Sequence, residues 1–143
     1  MAGVFIDTLN LNYIDGRWWE IASEFTYSLN SREVVNVPAK FVTDFASIPR
    51  IFWNFFPPAG TYGKGAVIHD WLYQYQGISS SFGGDDSLSY IHHLTSRYEA
   101  DNIFMETMRA THVKWSTRWI LYLGVRLGGW VVWKRYRREE KDI

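Results

Sequence analysis

The first third of the chain alternates apolar and polar residues with the period of β-strands. The alternation is clear over residues 4–14, and the Asp15-Gly16 pair that follows is a strong hairpin signal. Residues 17–29 are predicted to form the return strand, and residues 34–45 a third extended segment. This part of the chain is therefore predicted to be an antiparallel sheet of about three strands.

After residue 45 the apolar positions recur with the period of α-helices. The spacing between Ser96 and Glu99 is that of a capping box, which marks the start of a helix. The polar stretch 77–87 is predicted to be a loop. Helices are predicted over residues 47–55, 65–75, 97–110 and from about residue 116 into the charged end of the chain.

The order of the elements, with strands first and helices after, predicts a single α+β domain over residues 1–143. Its β-sheet part covers residues 1–46 and its helical part residues 47–143. In this architecture the N-terminal antiparallel sheet packs on about four C-terminal helices.

Composition removes several classes of function. The 15 lysines and arginines balance the 15 acidic residues, so no overall field attracts nucleic acid, and no nucleic-acid partner is expected. The absence of cysteine excludes disulfides, thiolate zinc sites and a cysteine nucleophile. The N-terminus lacks the basic start and apolar run of a signal peptide, so the usual secretory route is not expected.

Four ionisable residues lie in apolar surroundings, where an unpartnered polar group is costly. His69 and Asp70 stand inside the apolar stretch 66–73, and Asp44 is flanked by apolar pairs. Asp101 shares a helical face with the apolar residues three, four and seven positions later. We therefore expect these four side chains, from three elements, to point towards a common interior.

Two interpretations of this group remain open. The four residues form a structural polar network that ties the sheet to two helices, or they form a catalytic or metal site. In the second case one carboxylate accepts a hydrogen bond from the histidine, whose other nitrogen acts as a base, and another carboxylate binds a hard cation such as Ca²⁺. Zn²⁺ at His92-His93 is less favoured, because adjacent residues point in different directions.

Several motifs along residues 34–130 resemble a family of uncharacterised bacteriophage and prophage proteins. The resemblance implies a phage origin and assigns no activity. For a protein of phage origin we expect synthesis in the host cytoplasm, and incorporation in the virion tail beside other phage structural proteins is one of the alternatives left open. The motifs, in chain order, are VPAKFVTDFASIPR (37–50), PPAG (57–60) followed by YGK (62–64), HDWLY (69–73), SRYEAD (96–101) and YLGVRLGG (122–129).

A second, local resemblance links the HDxxY motif at residues 69–73 and the later helical Asp101 to the calcium-dependent secretory phospholipases of the His–Asp type. It implies that His69 activates water, that Asp70 binds Ca²⁺ and that Asp101 orients His69. Asp44 completes the set of candidate catalytic residues, together with His69 and Asp101.

The sequence therefore supports two alternative functions. In the first, the protein is a phage hydrolase with a His–Asp site that acts on the bacterial envelope, either lipid or peptidoglycan. In the second, it is a non-catalytic virion or tail component whose polar residues form a structural network. Whether the chain is an enzyme stays open at this stage.

The aromatic and basic C-terminal segment suggests a contact surface. Residues 119–133 are mostly apolar and are followed by a run of basic residues. The apolar run is too short for an ordinary membrane span and contains Arg126. Three alternatives remain: a helix lying on the bacterial membrane or cell wall, a core helix with a solvated basic end, or a helix that docks on other phage proteins.

Overall fold

A computed structural model describes residues 3–5, 9–15, 18–29, 34–43, 63–79, 90–93 and 96–141. Within these residues the chain forms two antiparallel sheets and three helices. The strands are β1 (Val4–Phe5), β2 (Leu11–Asp15), β3 (Trp18–Ile21), β4 (Phe25–Ser28), β5 (Val34–Val37), β6 (Val42–Thr43), β7 (Gly77–Ser79) and β8 (Tyr90–His93). The helices are α1 (Gly63–Tyr75), α2 (Arg97–Ala110) and α3 (Trp115–Lys141).

The α+β prediction is confirmed, and so is the hairpin between β2 and β3, in which Tyr13 pairs with Trp19. The strands are more numerous than the three predicted. A five-stranded sheet has the order β1-β4-β5-β7-β8, and a three-stranded sheet has the order β2-β3-β6. The larger sheet therefore takes two strands from the part of the chain that follows α1.

All three predicted strands are divided between the two sheets, and residues 4–14 contribute β1 to the larger sheet and β2 to the smaller. Residues 17–29 break at three exposed residues, 22–24, so that β3 joins the smaller sheet and β4 the larger. Residues 34–45 break at Pro38, which has no N–H to donate, and at Lys40, whose φ is 72°. These local features end each strand, and the backbone then crosses from one sheet to the other.

The predicted loop over residues 77–87 is wrong at its start, because Gly77–Ser79 form β7. Val34 of β5 pairs with Ser79, and β7 in turn pairs with β8. The larger sheet thus extends at the edge of β5. The rest of that predicted loop, and the helix predicted over residues 47–55, lie outside the described residues.

The helices begin and end close to their predicted bounds. Ser96 is the N-cap residue of α2, as the sequence indicated, but its side chain makes no capping hydrogen bond there. The capping box therefore predicted the correct start of the helix, but the side-chain hydrogen bond that it implies for Ser96 is not formed. In the described part of the chain, no helix has the length and apolarity needed to cross a membrane.

The central element of the fold is α1. Its residues 65–73 are all buried, since strands, α2 and α3 pack around it. Gly65 permits the closest approach to α2, because a Cβ there would lie 2.3 Å from Oγ1 of Thr107. Consequently the polar residues His69 and Asp70 lie in the middle of the core rather than at its edge.

Candidate functional site

His69 and Asp101 meet where α1 packs on α2. The Nε2 atom of His69 lies 2.6 Å from Oδ1 of Asp101, and both side chains are fully buried. The sequence prediction that these two residues converge is therefore confirmed. A histidine–carboxylate pair of this kind fixes which ring nitrogen carries the proton.

Asp101 accepts hydrogen bonds from residues of all three helices. Oδ1 also accepts from the hydroxyl of Tyr73 on α1 at 2.6 Å. Oδ2 accepts from Arg126 on α3 at 2.8 Å and from Arg97 on α2 at 3.3 Å. Four donors use the lone-pair sites that a carboxylate offers, and we call these five residues the Asp101 cluster.

The electrostatics of this cluster favour an ionised aspartate beside a neutral histidine. Burial alone raises the pKa of Asp101, but hydrogen bonds from His69, Tyr73 and Arg126 outweigh it and hold that pKa below its usual range. Burial lowers the pKa of His69, and the hydrogen bond to Asp101 offsets this only in part. Burial and the neighbouring carboxylate both raise the pKa of Tyr73, so its hydroxyl keeps its proton.

The second ring nitrogen of His69 is the exception in this well-bonded cluster. Because ionised Asp101 can only accept, neutral His69 carries its proton on Nε2 and has a lone pair on Nδ1. Within the described residues no hydrogen-bond partner reaches Nδ1, although the atom is buried. The ring packs against Tyr73 and Phe104, with centroids 4.1 and 4.9 Å away. Such an atom needs an explanation, because buried polar atoms are nearly always bonded.

Asp70 lies beside His69 in sequence but takes part in a different set of contacts. Its Oδ2 accepts from Oγ1 of Thr43 on β6 at 2.5 Å, and its Oδ1 lies 3.5 Å from the hydroxyl of Tyr136 on α3. The side chain is buried. Asp70 thus connects α1 to a strand and to the end of α3. Asp44, which follows Thr43 in the chain, lies outside the described residues.

No metal site is complete among the described residues. Within them, no group of three or more histidine and acidic side chains is close enough to hold a metal ion. The hydroxyls of Thr43 and Tyr136 are two oxygens that lie near Asp70, and Ca²⁺ takes about six to eight oxygen ligands. The structure does not describe the side chains of His92 and His93.

Five residues of these contacts, among them Tyr136, were missed at the sequence level, although three of the five leave a signal. Tyr73 follows His69 by four positions, and Arg97 precedes Asp101 by four, so each shares a helical face with its partner. Arg126 interrupts an apolar run, where a cation needs a buried acid. Thr43 gives no such signal, because a threonine in a strand needs no special partner.

α3 is also fastened to the end of α1 by Arg137. Its guanidinium donates to the carbonyl oxygens of Tyr73 at 2.6 Å and Gln74 at 2.9 Å, and it lies 4.6 Å above the ring of Trp133. These carbonyls belong to the last turn of α1, where cations are favoured. Together with Arg126, this contact makes α3 the element that closes the site from one side.

Comparison with known proteins places this site within a protein family. No curated protein and no solved structure matches the chain. The family model described as "Protein of unknown function (DUF1353)" matches residues 19–125, about three quarters of the chain. The matched region contains His69, Asp70 and Asp101, and it ends one residue before Arg126. The chain therefore belongs to the DUF1353 family of proteins of unknown function.

Proposed function

We propose that the protein is a bacteriophage-encoded hydrolase of the bacterial envelope in which His69 is the general base. The observation that carries the proposal is the state of the His69 ring. Its Nε2 is held by ionised Asp101, while the lone pair of Nδ1 has no partner within the described residues. A histidine that serves only structure usually has both nitrogens satisfied, whereas a general base keeps one lone pair available.

The geometry allows a complete proton balance for hydrolysis. Nδ1 of His69 takes a proton from water as the water oxygen bonds to the carbonyl carbon of an ester or amide. The tetrahedral intermediate then collapses to the carboxylic acid, the bond from carbon to the ester oxygen or amide nitrogen breaks, and the imidazolium gives its proton to that leaving atom. Asp101 stabilises the transient imidazolium through Nε2. Tyr73, Arg97 and Arg126 act as positioning residues, because they hold Asp101 rather than the reacting atoms.

Turnover by this route requires the site to open. His69 is fully buried, so water and substrate reach Nδ1 only after a movement of the surrounding structure. Hydrolases commonly admit substrate by such a step, which also keeps the reaction away from bulk water. An envelope substrate, lipid or peptidoglycan, would supply the surface on which the opening occurs.

Calcium stays a prediction carried by the phospholipase resemblance. Asp70 would be its ligand, but the described residues around Asp70 do not by themselves provide a calcium shell. No step above is therefore routed through a metal. Calorimetric titration of the full chain with Ca²⁺, and then with Zn²⁺ as the less favoured ion, tests this part of the proposal independently of turnover.

One observation favours a second candidate, a non-catalytic virion or tail component. His69, Asp70 and Asp101 are all buried, and the four donors on Asp101 come from three helices. Such a network ties elements together without any chemistry. In this case the protein is made in the host cytoplasm and assembles with other phage structural proteins in the tail.

Turnover by matched variants separates the two candidates. The full chain is assayed on vesicles that contain a fluorogenic phospholipid and on purified peptidoglycan, each with and without Ca²⁺. His69→Gln keeps a donor for Asp101 but has no basic nitrogen, and we expect it to lose about a hundredfold or more in rate. Tyr73→Phe removes one hydrogen bond to Asp101 and keeps the base, so it should stay within about tenfold of the wild type.

Two results would overturn the hydrolase proposal. If the wild-type chain hydrolyses neither substrate class, or if His69→Gln is as active as the wild type, His69 is not a general base. Either result favours the structural candidate, which predicts that the same variants change only the free energy of unfolding.

A further inference from the structure

The longest helix, α3, exposes a continuous apolar surface. Leu127 is 79% exposed and Trp115 is 66% exposed, values typical of polar residues rather than large apolar ones. We call this surface the outer face of α3. Its members are Trp115, Trp119, Ile120, Leu123, Leu127, Trp130 and Val131.

The outer face is distinct from the side of α3 that packs in the core. Leu121, Val125 and Gly129 are buried on the opposite side, and Gly129 lies against the hydroxyl of Tyr73. The outer residues recur at intervals of three and four, so they form one stripe along the helix. From Trp115 to Val131 the stripe is about 24 Å long, at about 1.5 Å per residue. α3 is thus apolar on two sides, and among the described residues the core packs against the side that carries Leu121, Val125 and Gly129.

The stripe lies in a basic segment that is bounded in the sequence by Glu106 and Glu139. Residues 107–138 contain eight of the 15 lysines and arginines and none of the 15 acidic residues. Exposed cations stand at both ends of the stripe, with Lys114 before it and Lys134, Arg135 and Arg138 after it. Because the whole chain has no net charge, this basic helix is locally opposite to the rest of the protein.

We propose that the outer face of α3 docks the protein on an anionic lipid bilayer, with the helix lying in the plane of the membrane surface. Tryptophans near both ends of the stripe suit the headgroup region, and the leucines between them suit the acyl boundary. The flanking cations complement lipid phosphates. A neutral partner would leave these cations unmatched, so charge complementarity selects the anionic bilayer as occupant.

This inference goes beyond the proposed function, because docking does not require His69 to act as a base. The two are nevertheless adjacent in the structure. Arg126 of the same helix binds Asp101, and Arg137 binds the end of α1. The helix that contacts the membrane is therefore the one that closes the candidate site, which would place the site next to a lipid surface.

Vesicle binding by the full chain tests the docking surface. Flotation with phosphatidylglycerol vesicles and with phosphatidylcholine vesicles, together with tryptophan fluorescence, measures partition into each. We expect binding to phosphatidylglycerol that weakens with salt. Leu127→Glu should weaken it about tenfold or more. The matched control is Ile14→Glu, since Ile14 is also exposed, at 49%, but belongs to β2 of the smaller sheet, and it should bind like the wild type.

Charge variants test the electrostatic part of the inference. Lys134→Gln and Arg138→Gln should each weaken binding to phosphatidylglycerol about fivefold and change binding to phosphatidylcholine little. His69→Gln should bind vesicles like the wild type, so loss of docking and loss of hydrolysis are told apart. The inference is overturned if the wild type does not bind phosphatidylglycerol or if Leu127→Glu binds equally well. It is also overturned if ultracentrifugation shows a dimer that Leu127→Glu separates and no vesicle binding occurs, since a second copy would then cover the face.

Discussion

The Asp101 cluster places polar and charged groups inside the protein, and the outer face of α3 places large apolar groups in solvent. Each is the reverse of where such residues are usually found. The cluster places an ionised carboxylate, two arginines, a tyrosine and a histidine at the junction of three helices. The outer face places tryptophans, leucines and other apolar side chains in solvent. Both features involve α3, because Arg126 of the cluster and the outer face belong to the same helix.

The difference between them lies in where their partners are. Asp101 finds four donors inside the protein, so its burial is largely compensated by the fold itself. The side chains of the outer face are 42–79% exposed, so within the described residues they bury little area that a substitution could lose. A change in the cluster should therefore be costly to stability, and a change in the outer face should not.

The largest expected effect is that of Asp101→Asn. The amide retains the volume of the carboxylate but removes its charge, and it presents N–H₂ where Asp101 now only accepts. We expect the free energy of unfolding to fall by about 3 kcal/mol, measured by urea denaturation. A loss below about 1 kcal/mol would show that the donors are satisfied without the carboxylate, and the two regions would then not differ as described.

The next effect is the pH dependence that His69 contributes. Its pKa is lower in the folded protein than in the unfolded chain, so the unfolded chain binds more protons below about pH 6.5. Stability should therefore fall as the pH drops through that range, by at most about 1.4 kcal/mol per pH unit. His69→Gln should remove this slope, and its difference from the wild type isolates His69 because all other histidines are shared. Equal slopes in the two proteins would contradict the lowered pKa.

Asp101 acts in a more acidic range. Because its pKa is held below the ordinary value, the stability it contributes is present above about pH 4 and is lost as the pH falls through its folded pKa. The two groups can therefore be told apart by the pH at which stability begins to decline.

The position of Tyr73 can be tested by a double-mutant cycle with Gly129. A Cβ at Gly129 would lie 2.5 Å from the hydroxyl oxygen of Tyr73, so Gly129→Ala should displace the hydroxyl that binds Asp101. In Tyr73→Phe that oxygen is gone and the nearest ring carbons are 3.3 Å away. Gly129→Ala should thus cost about 1 kcal/mol less in the Tyr73→Phe background, measured by urea denaturation. If the effects of Gly129→Ala and Tyr73→Phe on the free energy of unfolding are strictly additive, the added Cβ does not clash with the hydroxyl of Tyr73.

The smallest effect is expected on the outer face of α3. Leu127→Glu should change the free energy of unfolding by no more than about 0.5 kcal/mol, since Leu127 is largely exposed. Urea denaturation of this variant beside Asp101→Asn gives the comparison directly. A loss of 2 kcal/mol or more, on the order of a buried leucine, would mean that the face packs within the protein.

Spacing along each helix predicted much of the site. The apolar residues after Asp101, and the apolar run around His69, were enough to direct both side chains inward, and the structure joins them. The bounds of the helices followed from the same period. Asp70 was expected to converge with His69 and Asp101, but it contacts Thr43 instead. The reason is that adjacent residues on a helix point about 100° apart.

Other features depend on tertiary contacts that spacing does not contain. Local features end each predicted strand, but which strands then pair, β3 with β6 and β4 with β5, is a matter of contacts between distant segments. Likewise, Arg126 reaches Asp101 only because α3 crosses α2 at that level. Single-sequence patterns describe one element at a time, and these contacts join elements that are distant in the chain.

The most direct test of the central claim is the protonation state of His69, measured by two-bond ¹H–¹⁵N correlation NMR of the full chain with His69→Gln as the assignment control. At pH 7 we expect Nε2 to carry the proton and Nδ1 to carry none, and we expect Nδ1 to titrate below pH 6.5. Titration at or above pH 6.5 would contradict the lowered pKa of His69, and a proton on Nδ1 at pH 7 would contradict the proposed base, because the lone pair that it requires would then be absent.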